Sequence, residues 1–328
     1  MRAAITSVGH YVPDTVLSNS DLEKMVDTND DWITTRTGIK ERRILDNGEP
    51  ISFMAVEAIN MLLGRRGIKA DEIDLILVGT VTPDMLFPST ACIIQEKIGA
   101  SKAWGFDVLA ACSGFIFTFM AGVQFIESGA CKKVLVVGAD KMSSITNYKD
   151  RNTCILFGDG AGAVLLEPSE DQNYGVIDSV MHVDGTGGQY LYMKAGGSLN
   201  PSSHETVDKD WHYVYQEGRK VFKDAVVGMA DISYEIMERN NLKSEDVAYL
   251  VPHQANLRIL TACADRMGLP QEKVMINIDR YGNTTAATIP LCLSEYWQEG
   301  KIKKGDNLIL SSFGAGYTWG AILVRWAY

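Results

Sequence analysis

The feature that most constrains this chain is an echo within it. Asn241-Leu-Lys-Ser-Glu-Asp-Val-Ala-Tyr-Leu-Val251 aligns with Gly67-Ile-Lys-Ala-Asp-Glu-Ile-Asp-Leu-Ile-Leu77, and Phe313-Gly-Ala-Gly-Tyr-Thr-Trp-Gly-Ala-Ile-Leu-Val324 echoes Phe157-Gly-Asp-Gly-Ala-Gly-Ala-Val-Leu-Leu166. Two echoes in the same order imply an internal duplication. Apolar strands alternate with helical runs in each copy, which predicts an α/β chain whose two similar halves, 1–170 and 171–328, pack across a pseudo-twofold. Runs such as 75–79, and 132–138 beyond its opening pair of lysines, are continuously apolar, as parallel strands buried on both faces are. Near the N-terminus, Ser20 followed by Glu23 predicts a helix opened by a capping box.

Open sheets of this kind gather their chemistry at the carboxyl ends of strands, and two such ends carry reactive side chains. In Asp107-Val-Leu-Ala-Ala-Cys112-Ser-Gly, a cysteine stands between a strand and a long helical run, flanked by small residues that leave room for a carbonyl. The helix dipole and free N–H groups at that junction are expected to lower the thiol from its free value of about 8.5 toward neutrality. In Val251-Pro-His253-Gln-Ala255-Asn256, the histidine directly follows a buried strand, and Gly282-Asn283-Thr284 forms a turn before a helix. Taken singly, Cys112 reads equally as a core cysteine, His253 as a capped loop residue, and Asn283 as an ordinary turn.

Other features narrow the function by exclusion. A net charge of −10 argues against general nucleic-acid binding while leaving a local basic patch free to meet an acidic partner. None of the six cysteines forms a Cys-x-x-Cys pair, so neither a zinc site nor a secreted disulfide framework is expected, and a reducing cytoplasm fits best. The first nine residues read as a strand rather than a signal peptide. The run 108–126 is broken by Ser113, Gly114, Thr118, Gly122 and Gln124, and reads as a buried helix rather than a membrane span. Gly158, Gly160 and Gly162 lead into a strand, unlike a dinucleotide fingerprint. Trp32 and Arg36 offer a stacking face and a phosphate fork, and the apolar loop Met85-Leu86-Phe87 suits a subunit interface.

Together, Ala-Ala-Cys112-Ser-Gly, Pro-His253-Gln-Ala-Asn256, Gly-Asn283-Thr and Phe313-Gly-Ala315-Gly strongly resemble the β-ketoacyl-acyl carrier protein synthase III family of thiolase-fold condensing enzymes. The likeness runs through nearly the whole chain, and its Cys-His-Asn set differs from the Cys-His-His and Cys-His-Cys sets of related families. It implies a thiolase-like fold of layered helices and sheets. It implies as well that Cys112 takes an acyl group from acyl-CoA and that malonyl-acyl carrier protein condenses with it under decarboxylation. His253 and Asn283 would stabilise the enolate, Ala315 and the backbone of Cys112 would hold the oxyanion, and Phe313 would orient the donors. By the same resemblance, Trp32 and Arg151 sandwich the adenine of CoA, with Thr28, Arg36 and Thr37 contacting its head or pantetheine. Gly218, Phe222, Ala255 and Asn256 line the pantetheine tunnel, and Phe157 and Phe87 shape the acyl pocket, Phe87 across a homodimer interface. Lys223 and Arg258 dock the acidic carrier, helped by Arg219 and Lys220. No metal or redox cofactor is implied, and neither nucleic acid nor membrane is a partner. A thiolase-fold acyltransferase, a specialised ketosynthase of secondary metabolism, a Cys-His hydrolase and a non-catalytic scaffold stay open as alternatives.

Overall fold

The computed structural model describes residues 1–328. Strands β1 (Ala3–Tyr11), β2 (Leu75–Gly79), β3 (Trp104–Val108), β4 (Val134–Lys141) and β5 (Asp159–Pro168) form one sheet in the order β1-β5-β4-β2-β3. Strands β6 (Gly175–Val183), β7 (Tyr249–Pro252), β8 (Asn307–Gly314) and β9 (Thr318–Arg325) form a second, ordered β6-β9-β8-β7. In the first sheet β2 pairs in parallel with β3 and β4, and β5 is antiparallel to β4 and β1. The second repeats this pattern: β7 is parallel to β8, and β9 is antiparallel to β8 and β6. A parallel bridge from Leu250 to Val274 stands where β3 would recur.

The duplication reaches local detail. Gly67 and Asn241 both sit at positive φ just past a helix, at 71° and 55°. Each is followed by a short 3-10 turn whose last carboxylate accepts from the amide that opens it, Glu72 from Lys69 at 3.0 Å and Asp246 from Lys243 at 2.8 Å.

Seven helices of eight or more residues intervene: α1 (Asp30–Thr37), α2 (Ile51–Arg66), α3 (Thr90–Lys97), α4 (Gly114–Glu127), α5 (Gly218–Arg239), α6 (Leu257–Met267) and α7 (Thr288–Gln298). Strand alternation assigns them to layers. Leu75 and Leu77 of β2 face a core shared with Phe115, Phe119 and Val123 of α4, Cys292 and Leu293 of α7, and Leu308 and Leu310 of β8. Ile76 and Val78 point the other way, onto α2 and α3, while Ile309 faces α5 and α6. The stack is therefore helix, sheet, helix pair, sheet, helix. Helix α4 is apolar nearly all round because it lies between the two sheets, and no helix is long and apolar enough to cross a membrane.

Two boundaries differ from the sequence reading. The capping box near the N-terminus is Ser18 with Asp21, not Ser20 with Glu23. Asp21 bonds the Ser18 amide at 3.2 Å, and the helix it opens spans only Asn19–Leu22. Strand β4 runs on to Lys141, which carries Asp140 into the interior at its carboxyl end.

Candidate active site

Cys112 lies in a 3-10 turn (Ala111–Ser113) between β3 and α4, and Ala111 before it has φ 47°. A non-glycine residue there marks a sharp, over-determined turn. It presses the thiol inward, leaving Cys112 9% exposed. The other half anchors this turn. Ser312 Oγ, at the end of β8, donates to the Cys112 carbonyl at 2.8 Å, and Ser113 Oγ donates to the Thr318 carbonyl at 2.8 Å. A Cβ on Gly314 would lie 2.9 Å from the Cys112 nitrogen, so the turn needs glycine at that approach.

His253, 1% exposed, follows β7, and its amide donates to the Ser311 carbonyl at 2.8 Å. Asn283, 7% exposed, is tied to the first half through bonds exchanged with Leu156 and Gly158 at 2.9 and 3.1 Å. The Thr285 amide donates to Asn283 Oδ1 at 2.9 Å, which fixes the amide flip and leaves Nδ2 as a donor. The Asn283 amide acts on the Cys112 thiol, favouring its ionised form. Sequence reasoning thus finds a cysteine, a histidine and an asparagine on three separate loops; all three are buried, the fold links Asn283 to His253 through Thr285 and Thr288, and it ties the Cys112 turn to the end of β8.

The electrostatics differ from the expected activation. Burial pushes the Cys112 thiol up to about 12, the charge of Asp140 adds to that, and the cysteine's own N–H and the Asn283 amide only partly oppose it. The helix end is present, but desolvation outweighs it. Burial likewise holds His253 down at about 3, so its imidazole is neutral. Thr288 Oγ1 sits 2.8 Å from His253 Nδ1 and donates to the Thr285 carbonyl at 3.0 Å. One hydroxyl proton cannot serve both, so here Nδ1 carries the hydrogen and Nε2 a lone pair. For Nε2 to donate, the Thr288 hydroxyl must turn onto Nδ1.

Phe313, at the end of β8, packs on Tyr317 and Trp319 with ring centroids 4.8 and 5.9 Å away. In the Gly314-Ala315-Gly316 turn, positive φ falls on Gly316 at 143° and not on Ala315, so the Cβ of Ala315 meets no backbone penalty. Phe157 is buried beside Asn283, whereas Phe87 is 84% exposed, next to Met85 and Leu86.

Of the residues expected from the sequence to meet a nucleotide, Arg36 and Arg151 both lie against Trp32. The Arg36 and Arg151 guanidinium carbons lie 4.5 and 4.6 Å from the Trp32 ring centroid. A base stacked between Trp32 and Arg151 needs about 7 Å, twice a contact separation of about 3.5 Å, so the slot is closed and Arg151 must swing out. Asn256 caps α6 and donates to the Arg36 carbonyl at 2.8 Å, and the Thr37 hydroxyl is spent on Ile33 and Ile39 backbone groups. Thr28 Oγ1 is buried without a partner. Arg258 covers Phe222 at 4.8 Å, Gly218 opens α5, Ala255 is half-buried and Lys223 is exposed; Lys220 pairs with Asp224 at 2.8 Å. No cluster of three or more His, Cys, Asp or Glu side chains could hold a metal.

Residues 106–185 match the family described as 3-oxoacyl-[acyl-carrier-protein (ACP)] synthase III, and residues 237–326 match its C-terminal region. The beta-ketoacyl-[acyl-carrier-protein] synthase III of Chlorobaculum tepidum is 60% identical, covering 99% of this chain and 100% of that protein. Its counterpart from Koribacter versatilis is 57% identical, covering 100% and 98%. Among solved structures, 3-oxoacyl-[acyl-carrier-protein] synthase III from Aquifex aeolicus superposes with a TM-score of 0.91 at 44% identity over 99% and 100% of the two chains. The priming beta-ketosynthase of the R1128 polyketide biosynthetic pathway does so at 0.92 and 33% over 99% and 96%.

Proposed function

Because the chain belongs to the β-ketoacyl-acyl carrier protein synthase III family, we propose that it is a thiolase-fold condensing enzyme that starts fatty acid synthesis by joining an acyl-CoA primer to malonyl-acyl carrier protein. The observation that carries the reading is that Cys112 of one half and His253 and Asn283 of the other are all buried on turns that hydrogen bonds tie together or to the opposite half.

In the first stage the Cys112 sulfur attacks the acyl-CoA carbonyl. With the thiol held protonated, attack is coupled to proton transfer: neutral His253 accepts the proton at Nε2 and passes it to the departing CoA sulfur. The carbonyl oxygen is received by the backbone N–H groups of Cys112 and Ala315. In the second stage the malonyl carboxylate leaves as carbon dioxide, and negative charge gathers on the thioester oxygen. Asn283 Nδ2 donates to it, and His253 joins once Thr288 turns its hydroxyl and Nε2 holds the proton. The carbanion then attacks the acyl carbon on Cys112, the carbon–sulfur bond breaks as the β-ketoacyl-carrier product forms, and the sulfur leaves as a thiolate that takes up a proton from solvent to return to the thiol. Nothing in this sequence calls for a metal or redox cofactor.

The remaining assignments follow the same reading. Trp32, Arg36 and Arg151 take the CoA nucleotide, with Thr28 and Thr37 near its head. Gly218, Phe222, Ala255 and Asn256 line the pantetheine path, and Lys223 and Arg258 meet the acidic carrier. Phe157 and a partner subunit's Phe87 bound the primer, and Phe313 supports the two donors. Asn283→Ala is expected to slow condensation by on the order of 10²–10³-fold while the acyl adduct on Cys112 still forms, and an unchanged condensation rate contradicts the donor role. The likeness to a priming ketosynthase of polyketide synthesis favours a second reading, the same chemistry in specialised metabolism, which primer and carrier preference would separate.

A further inference from the structure

Asp140 is fully buried, at the carboxyl end of β4, and forms no ion pair. Every hydrogen-bonding contact it makes is with a donor. Oδ1 accepts from the Thr80 and Thr82 hydroxyls, each at 3.0 Å, and from the Val81 and Thr82 amides at 2.8 and 3.2 Å. Oδ2 accepts from the Thr285 hydroxyl and, at 3.2 Å, from the Ala286 amide. Three of these donors are backbone N–H groups, which have no acceptor alternative, so the set favours a carboxylate over an amide, while burial pushes the Asp140 carboxyl above the usual carboxylate range.

Thr285 is the residue this carboxylate holds. It sits at φ 49°, a conformation a β-branched side chain adopts only when its surroundings impose it. Its amide fixes Asn283, and its carbonyl receives the Thr288 hydroxyl that meets His253. The donor that acts only in the second stage, Asn283, therefore hangs from this turn, and that turn hangs from Asp140. The arrangement is reciprocal across the molecule: β8 of the second half holds the Cys112 turn through Ser312, and β4 of the first half holds the Asn283 turn through Asp140.

We propose that Asp140 is a positioning residue for condensation, its buried carboxylate locking Thr285 so that Asn283 presents its donor to the enolate oxygen. The inference rests on the two-stage reading above. It asks for a specific imbalance between the stages, because the carboxylate supports a donor used only in condensation while its charge opposes ionisation of Cys112.

The test measures the two stages separately in the full-length protein. Acyl-adduct formation from acyl-CoA is followed by intact mass, and discharge of pre-acylated enzyme by malonyl-acyl carrier protein is followed by product. In Asp140→Asn and Thr285→Val, discharge is expected to fall on the order of 10²-fold, as for loss of an oxyanion donor, with acylation kept within a few-fold, while Thr285→Ser restores most of the discharge. Thr285→Val and Thr285→Ser carry the test if Asp140→Asn does not fold. Equal loss in both stages, or normal discharge in Thr285→Val, overturns the proposal. A wild-type protein that forms no adduct with any primer fails the two-stage reading instead, and takes this inference with it.

Discussion

At the scale of single residues, the site works through groups held in their neutral forms. Cys112 is a thiol rather than a preformed thiolate, and His253 is an imidazole rather than an imidazolium, both because burial disfavours charge. For His253 this has a consequence for stability. The unfolded chain takes up a proton near the free value of about 6.5 and the fold does not until about 3, so the contribution is complete above pH 6.5 and is lost as pH falls toward 3, by up to about 1.4 kcal/mol per pH unit. Urea midpoints at pH 7 and pH 5 should therefore separate less in His253→Gln than in wild type, and an equal or larger separation contradicts the buried neutral imidazole. The turns that carry Cys112, His253 and Asn283 were legible in the sequence, since each residue follows a strand or turn signal that survives folding. The residues' protonation was not. A helix end is local and visible in sequence, whereas desolvation depends on the opposite half closing over the thiol. Asp140 escaped notice for a related reason: its donors Thr80, Val81, Thr82, Thr285 and Ala286 become neighbours only in the fold. Its one sequence signal is an acid ending an apolar strand.

At the scale of elements, close approach replaces side-chain contact where the halves meet. A Cβ on Gly138 of β4 would lie 2.2 Å from the Ala286 carbonyl oxygen, inside the turn that carries Asn283. Gly138→Ala must lift that turn off the sheet, with an expected loss of about 1–3 kcal/mol in denaturation and a larger proportional loss of condensation than of acylation. Wild-type stability and turnover in this variant would show that the turn does not rest on β4. Strand and helix identities were readable from apolar runs, because alternation and length are local properties. Short elements were less so. The Ser18–Asp21 cap differs from the expected Ser20–Glu23 by two residues, since a four-residue helix leaves little periodicity to read. The closed Trp32–Arg151 slot was also invisible, because its spacing is a tertiary distance.

At the scale of the whole molecule, the duplication is the organising fact, and it was legible because both echoes preserve turns as well as strands. What lay outside reach was the crossover by which each half anchors the other's catalytic turn. The surface points beyond one chain. Strand β3 is an unpaired sheet edge, and around it Leu86, Phe87 and Leu109 are 83%, 84% and 80% exposed. Such a patch on a bare edge suits a second copy pairing there. Leu86→Asp with Phe87→Asp is expected to convert a dimer to a monomer in light scattering and to lower condensation, because the primer pocket loses the partner's wall. A wild-type protein that is monomeric at assay concentration contradicts this assembly.

The most direct measurement is the intact mass of the protein after exposure to acetyl-, isobutyryl- and octanoyl-CoA, followed by malonyl-acyl carrier protein. A single acyl addition, absent in Cys112→Ala and discharged as a β-ketoacyl-carrier product, is the expected result. An adduct that persists in Cys112→Ala, or one released only as free acid, would contradict the assignment of Cys112 as the nucleophile of a condensing reaction.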